Sequence, residues 1–171
     1  EAYDRTLTIC HVLRYAPFFQ ELKRLLDEGR IGRLMSIQHN ENVGYWHQAH
    51  SYVRGYFNNT ESSSPMILAK SCHDLDIMQW LAGGQCLSVA SYGHLSHFRP
   101  ESAPPGAPKR CLDGCPVSHE CQYYAPNTYL IENAGWKGEA ASNDPSYEAR
   151  YQAMLEGPFG RCVYHCDNDV V

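Results

Sequence analysis

The sequence lacks two features that would point to large charged or lipid partners. It contains no run of about 18 apolar residues, the length from which a membrane-spanning helix is inferred. It also lacks a basic excess, because 14 Lys and Arg residues stand against 19 Asp and Glu residues, a net charge of −5. An acidic chain does not favour polyanions. We therefore expect neither a nucleic acid nor a membrane as the main partner.

Several catalytic and nucleotide-binding motifs are also missing. The sequence has no G-x-G-x-x-G, no Walker loop, no H-E-x-x-H and no G-x-S-x-G. Glycine-rich loops hold phosphates through backbone N–H groups, and the last two motifs carry zinc-dependent or serine-dependent hydrolysis. The sequence therefore excludes the usual signatures of these chemistries from this stretch of chain.

The composition is that of an ordinary globular chain. Hydrophobic residues make up 43% of the 171 residues and charged residues 19%, which argues against disorder. The eight cysteines allow two interpretations, reduced thiols with some of them on a metal, or disulfides of an exported protein. Because a chain of this size does not need disulfides for stability, we favour reduced thiols. We also expect a cytoplasmic location, since no signal peptide is visible.

Hydrophobic patterning predicts strands and helices, with a long cysteine-rich loop between the third strand and the last helix. Strands are predicted over Thr6–Leu13, Leu34–Glu41 and Leu87–Phe98. Helices are predicted from Pro17 to Gly29, over Met66–Ala82, and from Asp144 to Gly157. Because the sequence begins and ends in segments with the composition of β-strands, we expect a piece of a longer protein. The alternative is a natural domain with short ends.

Three groups of side chains could bind or react. The stretch Asn42–Ser63 contains Tyr45, Trp46 and His47 and is either a surface loop pinned by its aromatic residues or a wall that faces a ligand. Lys70 and His73, with Asp74 and Asp76, occupy helical offsets that share a face. A histidine between a cation and carboxylates can be tuned for acid–base chemistry, although exposed ion pairs on a helix are the simpler reading.

The third group is a set of cysteines. The pattern Cys111-x3-Cys115-x5-Cys121, followed by Cys162, supplies four thiolates for a structural zinc ion, with Cys166 as a substitute. Buried free thiols are the competing interpretation. Three further cysteines in predicted strands and helices, at positions 10, 72 and 86, are expected to be buried free thiols.

Two stretches resemble the Gfo/Idh/MocA oxidoreductases. His11–Phe19, followed by Gly29-Arg30-Ile31-Gly32, resembles the segment that joins the two domains of that family, an R-[FY]-x-P turn, a helix and G-x-I-G. Cys72–Asp76, followed by Trp80-Leu81, resembles the H-x-x-D helix of the same family. The order and separation of the two stretches also match.

The resemblance implies a domain organisation and a cofactor. Residues 1–15 would be the last strand and the junction of a missing Rossmann domain. Residues 16–171 would be the C-terminal α+β domain, incomplete at its C-terminus. Its fold would be a mainly antiparallel sheet covered by helices on one face, truncated, with a long cysteine-rich loop. This domain would shape the substrate site and form a homo-oligomer through its sheet. NAD or NADP would be bound by the missing domain of the parent chain and not by this fragment.

The resemblance also implies roles for individual residues. His73 would be the acid/base. Many members have an aspartate at the position of Ala69, so either Lys70 beside it takes that catalytic role or the reaction differs. Arg14 and Tyr15 would line the junction. The implied function is hydride transfer between nicotinamide and a sugar, polyol or related carbinol. The alternatives are a non-catalytic binding or assembly module with a structural zinc site, and nicotinamide-assisted elimination or glycoside cleavage.

Overall fold

The computed structural model describes residues 4–169, which divide into two compact units. The first unit consists of the described residues up to Glu41 together with Lys70–Ser91. The second consists of Asn42–Ala69 and the described residues from Tyr92 onward. Each unit is therefore assembled from two separate stretches of the chain.

Short helices are the regular elements of both units. The α-helices are α1 (Pro17–Asp27), α2 (Tyr45–His47), α3 (Met66–Ala69), α4 (Cys72–Ala82), α5 (Pro126–Tyr129), α6 (Trp136–Ala141) and α7 (Tyr147–Glu156). A π-helical segment, Gln48–Arg54, follows α2 directly. Short 3₁₀ helices cover Val12–Tyr15, Pro100–Ser102, Pro158–Gly160 and Val163–His165.

Helix ends lie where local residue chemistry predicts them. Pro17 occupies the first turn of α1, where its missing N–H would have no partner in any case. Gly83 ends α4 with a φ of 69°, a left-handed conformation that glycine adopts without a Cβ clash. The side chain of Ser146 accepts a hydrogen bond from the Ala149 N–H and caps α7. The predicted start of α1 at Pro17 and the predicted helix ends at Gly83 and Gly157 are confirmed.

The predicted helix over Met66–Ala82 is not continuous. Lys70 and Ser71 form a turn between α3 and α4, and the chain passes from the second unit to the first at this point. The stretch Asn42–Ser63 also differs from the loop expected there, because Tyr45–Arg54 is helical and buries residues such as Val53 and Arg54. Periodicity missed this segment because a π-helix does not repeat every 3.6 residues.

The predicted antiparallel sheet is wrong. Within residues 4–169 there is no strand, and the one isolated β-bridge joins Arg110 to Arg161. The three predicted strands lie in stretches without regular pairing, and Leu87 is 97% exposed. Strand propensity describes how a side chain fits between neighbouring strands, and the described chain places no second strand beside these stretches. The proposed oligomer interface through a sheet therefore has no basis in this structure.

The unpaired stretches of the first unit leave apolar surface uncovered. They form, together with α4, an open groove of about 570 Å³ whose apolar lining includes Leu34, Met35, Ile37, Leu75, Met78 and Val89. Residues 4–169 include no helix with the length and apolar character required to cross a membrane.

Each unit has its own core. In the first unit, Ile77 and Leu81 of α4 are buried. The second unit has two buried clusters. One consists of Ala49, Val53, Phe98, Tyr123, Cys162, Val163 and Tyr164, and the other of Cys111, Ala125, Tyr129 and Met154.

His50 lies among aromatic rings in the second unit. It is 4% exposed, its Nδ1 lies 3.0 Å from the Tyr129 hydroxyl, and its ring stacks on Phe159 with centroids 4.8 Å apart. Burial, together with the nearby charges of His47, Lys137 and Arg54, lowers the pKa of His50 to about 4. His50 is therefore a neutral polar group of the core at neutral pH.

We predict that His50 makes the protein less stable in mild acid. The unfolded chain protonates His50 near its ordinary pKa of about 6.5, whereas the folded chain protonates it only near 4. The free energy of unfolding should therefore fall as the pH drops from about 6.5 toward 4, by about 3 kcal/mol at most. Urea unfolding at a series of pH values measures this.

His50→Gln provides the comparison, because glutamine does not titrate. Its free energy of unfolding should vary less with pH than that of the parent protein. His94→Gln is the matched control, since His94 is exposed and should leave the pH dependence unchanged. The same slope in the parent protein and in His50→Gln would contradict the prediction.

Candidate functional site

His73 lies in the first turn of α4, next to a half-buried ion pair of the first unit. Asp76 follows one turn later on the same face of the helix. Arg14 donates to both carboxylate oxygens of Asp76, from Nε at 2.7 Å and from Nη2 at 2.5 Å. This bidentate geometry fixes the carboxylate and the guanidinium in one plane. Arg14, a predicted substrate-binding residue, is thus a direct partner of the helix that carries His73.

A second histidine joins this group. His11 Nε2 lies 3.9 Å from Asp76 Oδ1, and the His11 and His73 rings meet edge to face with centroids 6.0 Å apart. The Nδ1 atoms of both rings are buried and have no hydrogen-bond partner within the described residues. A buried polar atom without a partner costs about 1–3 kcal/mol. The two imidazoles therefore have unused hydrogen-bonding capacity at the same place.

The electrostatics of the group keep Asp76 ionised. The hydrogen bond from Arg14 lowers the pKa of Asp76, and the nearby charges of Arg14, His11 and His73 lower it further. A fixed carboxylate beside an imidazole favours the protonated ring. Asp76 can therefore stabilise positive charge that forms on His73 or His11 when either ring accepts a proton.

Lys70 does not share a helix face with His73 as the sequence indicated. It lies in the turn before α4, and its ammonium group pairs with Glu41 Oε1 at 3.2 Å. The backbone still connects the two residues, because the His73 N–H points to the Lys70 carbonyl at 3.4 Å. The break between α3 and α4 is the physical reason for this difference.

A further pair lies close to Lys70. His39 Nε2 is 2.8 Å from Asp74 Oδ1, and Asp74 is 7% exposed. His39, Glu41 and Asp74 each offer one ligand atom within 4.8 Å of the others. The Lys70 ammonium already supplies a positive charge to Glu41, so we interpret this group as a hydrogen-bonded ion network rather than a metal site.

Sequence reasoning missed His11, His39 and Glu41. His11 precedes Arg14 by three residues, a spacing that could have signalled a shared contact. His39 and Glu41 alternate along a predicted strand, which indicates a common side. Their contact with α4 depends on tertiary packing, and no sequence pattern shows it. Tyr15, a predicted substrate-binding residue, is 72% exposed.

The other predicted substrate-binding residues lie in the second unit. Tyr45, Trp46 and His47 form α2, and Trp46 stacks on His47 with centroids 5.3 Å apart. Trp136 lies 6.2 Å from Trp46, and the Lys137 ammonium lies 4.9 Å from the Trp46 ring centre. We call Tyr45, Trp46, His47 and Trp136 the aromatic surface. Trp46 is 42% exposed and Trp136 49%, so part of this surface is open to a ligand.

The four predicted zinc ligands line a single cavity in the second unit. Cys111, Cys115, Cys121 and Cys162 all contribute to its wall. All eight cysteines are free thiols. Burial raises the pKa of the Cys162 thiol to about 11, so this group is neutral without a metal ion.

Burial was predicted wrongly for two of the remaining cysteines. Cys10 and Cys86 are exposed, whereas Cys72 is half-buried. Cys10 was expected in a strand and Cys86 beside one, and neither is covered because those strands do not form.

Comparison with known proteins gives one family and two relatives. A model described as "GFO/IDH/MocA C-terminal domain" matches residues 19–140. The chain is 30% identical over 122 residues to a Bacillus subtilis (strain 168) protein named "Putative oxidoreductase YteT", covering 70% of this chain and 28% of that protein. It is 30% identical over 80 residues to "Inositol 2-dehydrogenase 2" of Saccharopolyspora erythraea, covering 46% of this chain and 20% of that protein. No solved structure matches the chain.

We predict that Arg14 controls the ionisation of Asp76. Arg14→Met removes both hydrogen bonds, so the pKa of Asp76 should rise toward the ordinary aspartate value. Titration of the side-chain carboxyl by ¹³C NMR measures the shift. Arg24→Met is the matched control, because Arg24 pairs with Glu21 and Glu28 instead. An unchanged Asp76 pKa in Arg14→Met would show that the ion pair does not set it.

Proposed function

Because the chain belongs to the GFO/IDH/MocA family, we propose that it forms the substrate-binding part of an NAD(P)-dependent oxidoreductase acting on a sugar, polyol or related carbinol. The family match covers residues 19–140, and both relatives carry oxidoreductase or dehydrogenase names. The aligned part is 28% of the one relative and 20% of the other. The activity we propose is therefore that of a longer protein to which this chain contributes.

We propose that the nicotinamide dinucleotide is bound by a part of the longer protein outside this chain. The sequence of this chain contains no G-x-G-x-x-G, the strand–turn–helix element whose backbone N–H groups hold the pyrophosphate. The cofactor, when bound elsewhere in the protein, would accept or supply hydride. The contribution of this chain is the handling of the substrate and its proton.

The observation that carries the proposal is the unpartnered Nδ1 atom of His73, next to the fixed carboxylate of Asp76. Oxidation of a carbinol requires removal of the hydroxyl proton, and a positioned histidine is suited to accept it. The His73 Nδ1 has no partner in the described residues, and we propose that a substrate hydroxyl or a water molecule joined to it supplies one. His73 would accept the proton in oxidation and return it in reduction.

Asp76, Arg14 and Lys70 would support this proton transfer. The Asp76 carboxylate stabilises the imidazolium, and Arg14 holds the carboxylate in place through two hydrogen bonds. Lys70 pairs with Glu41 and so belongs to the charged surroundings of the histidine rather than to its immediate contacts. We propose an electrostatic role for Lys70, which replaces the direct catalytic role expected from sequence.

We predict that His73→Ala in the full-length protein lowers turnover by about 100-fold or more, the usual scale for a positioned acid/base. The Michaelis constant should change less, because the proton is transferred in the transition state. Steady-state kinetics across pH measure both quantities. In the oxidation direction the acidic arm of the pH profile should change shape, because a proton acceptor must be unprotonated to work. His94→Ala is the control, since His94 is exposed in the other unit.

Thermal unfolding of both variants separates chemistry from folding. An equal loss of turnover in the two variants, or a turnover of His73→Ala that matches the parent across pH, would assign His73 a structural role.

From the second unit alone, we also propose that its aromatic surface binds sugars or polyols. Sugars and polyols present both hydroxyls and C–H faces, and binding sites combine aromatic side chains with a few polar groups. The indole rings of Trp46 and Trp136 are partly exposed, and Lys137 adds a hydrogen-bond donor beside Trp46. The name of the S. erythraea relative, an inositol dehydrogenase, supports the polyol class.

We predict that Trp46→Ala raises the dissociation constant for a sugar or polyol by about 10-fold, the effect of about 1.4 kcal/mol of lost contact. Calorimetric titration of the full-length protein with a polyol measures this constant. Tyr92→Ala is the matched control, because Tyr92 is a 95% exposed aromatic outside the surface. A dissociation constant of Trp46→Ala equal to that of Tyr92→Ala would show that the aromatic surface does not bind these ligands.

A further inference from the structure

A small cavity in the second unit is walled by cysteines. Cys111, Cys115, Cys121 and Cys162 all line it, and its volume is about 10 Å³. A space of this size holds about one water molecule or one ion. The rest of the wall is made mainly of apolar and aromatic residues and includes one charged side chain, Arg54.

Backbone hydrogen bonds bring the cysteines together across a long separation in sequence. The Cys111 N–H donates to the Gly160 carbonyl at 2.9 Å, and the Cys162 N–H donates to the Lys109 carbonyl at 2.9 Å. These two bonds flank the bridge between Arg110 and Arg161. These hydrogen bonds therefore join two stretches about 50 residues apart in sequence, one containing Cys111 and the other Cys162. The Cys121 N–H, bonded to the Val117 carbonyl at 2.9 Å, closes the turn that carries the third thiol.

Arg54 gives the cavity a positive charge that no carboxylate offsets in the described residues. Its side chain is 2% exposed. It donates to the carbonyls of Arg161 at 2.7 Å and Tyr123 at 2.6 Å, and to Cys111 Sγ at 3.6 Å. No ion pair of Arg54 is found within residues 4–169. A buried charge without a counter-charge is costly, so anionic sulfur in the cavity would be stabilised.

The sulfur atoms of the four cysteines lie farther apart than the ligands of a bound zinc ion would, because no three of them among the described residues lie within 4.8 Å of one another. Only His39, Glu41 and Asp74 bring three ligand atoms within 4.8 Å of one another. That group offers nitrogen and oxygen ligands and includes a carboxylate paired with Lys70, whereas the cavity offers sulfur and a cation that favours thiolate. Zinc–sulfur bonds are about 2.3 Å long, so the four thiols would move inward when an ion binds.

We propose that this cavity is a structural zinc site formed by Cys111, Cys115, Cys121 and Cys162. On binding, the four thiols lose their protons to solvent, four zinc–sulfur bonds form, and no electrons are transferred. Four thiolates around one divalent cation carry a net charge of −2, which Arg54 partly neutralises. A site with four protein ligands has no open position for a substrate, so its role is to hold the loop and not to react. The proposal is independent of the chemistry proposed for His73.

Metal analysis of the full-length protein tests the site. Protein purified without chelator should contain about one zinc per chain, as a closed four-ligand site requires. Cys115→Ser should reduce that content by at least half, and Cys115 is chosen because it is half-buried and less essential to packing than Cys111. Cys86→Ser is the matched control, since Cys86 is exposed in the first unit and should keep the full content.

Cobalt substitution gives a readout that does not depend on activity. Co²⁺ added to zinc-free protein should produce the intense near-ultraviolet absorption of cobalt–thiolate bonds in the parent and in Cys86→Ser, with at least a twofold reduction in Cys115→Ser. The proposal would be overturned if the protein contains no zinc as purified and gives no cobalt–thiolate absorption when Co²⁺ is added. A disulfide among the four cysteines would also overturn it. Iron with acid-labile sulfide in place of zinc would also overturn it, because the centre would then be a cluster.

Discussion

The hydrogen bonds of the buried Arg54 guanidinium are the interactions on which the second unit most depends. The described residues of this unit form short helices joined by loops and no β-sheet. The carbonyls of the loops therefore need hydrogen-bond donors from side chains. Arg54 is buried and donates to the carbonyls of Arg161 and Tyr123 and to the sulfur of Cys111, which joins three stretches of chain. Arg110 acts in the same way, with two hydrogen bonds to carbonyls at the end of α7. Arginine suits this task because its donors form a fixed planar fork.

Arginine has a different electrostatic role in each of the two units. In the first unit, Arg14 binds the carboxylate of Asp76, so the charges cancel and the pair becomes a fixed dipole beside His73. In the second, Arg54 binds carbonyls and a thiol, so its charge remains uncompensated in the described residues. The Arg14–Asp76 pair stabilises a protonated imidazole beside it. The charge of Arg54 stabilises thiolates beside it. The proposed reaction and the proposed metal site follow from this difference.

The parts of the fold that sequence predicted are those governed by neighbours in the chain. Pro17, Gly83 and Gly157 mark helix ends because their backbone preferences act over one or two residues. The sheet was predicted wrongly because a strand needs a partner that its own residues do not provide. The break at Lys70 and Ser71 was missed for a related reason, since the chain changes units there and the helical pattern on either side continues in phase.

For the candidate sites, the sequence alone determined the chemical types and the family. Motifs around Arg14 and His73 indicated the GFO/IDH/MocA family, which the match over residues 19–140 confirms, and cysteine spacing selected the four residues that line one cavity. Only the tertiary structure decided the partners. It placed Arg14 on Asp76 and not Lys70 on His73, and it buried Arg54 among the thiols. Residue type and spacing act locally, whereas charge compensation depends on which distant groups packing brings within a few ångströms.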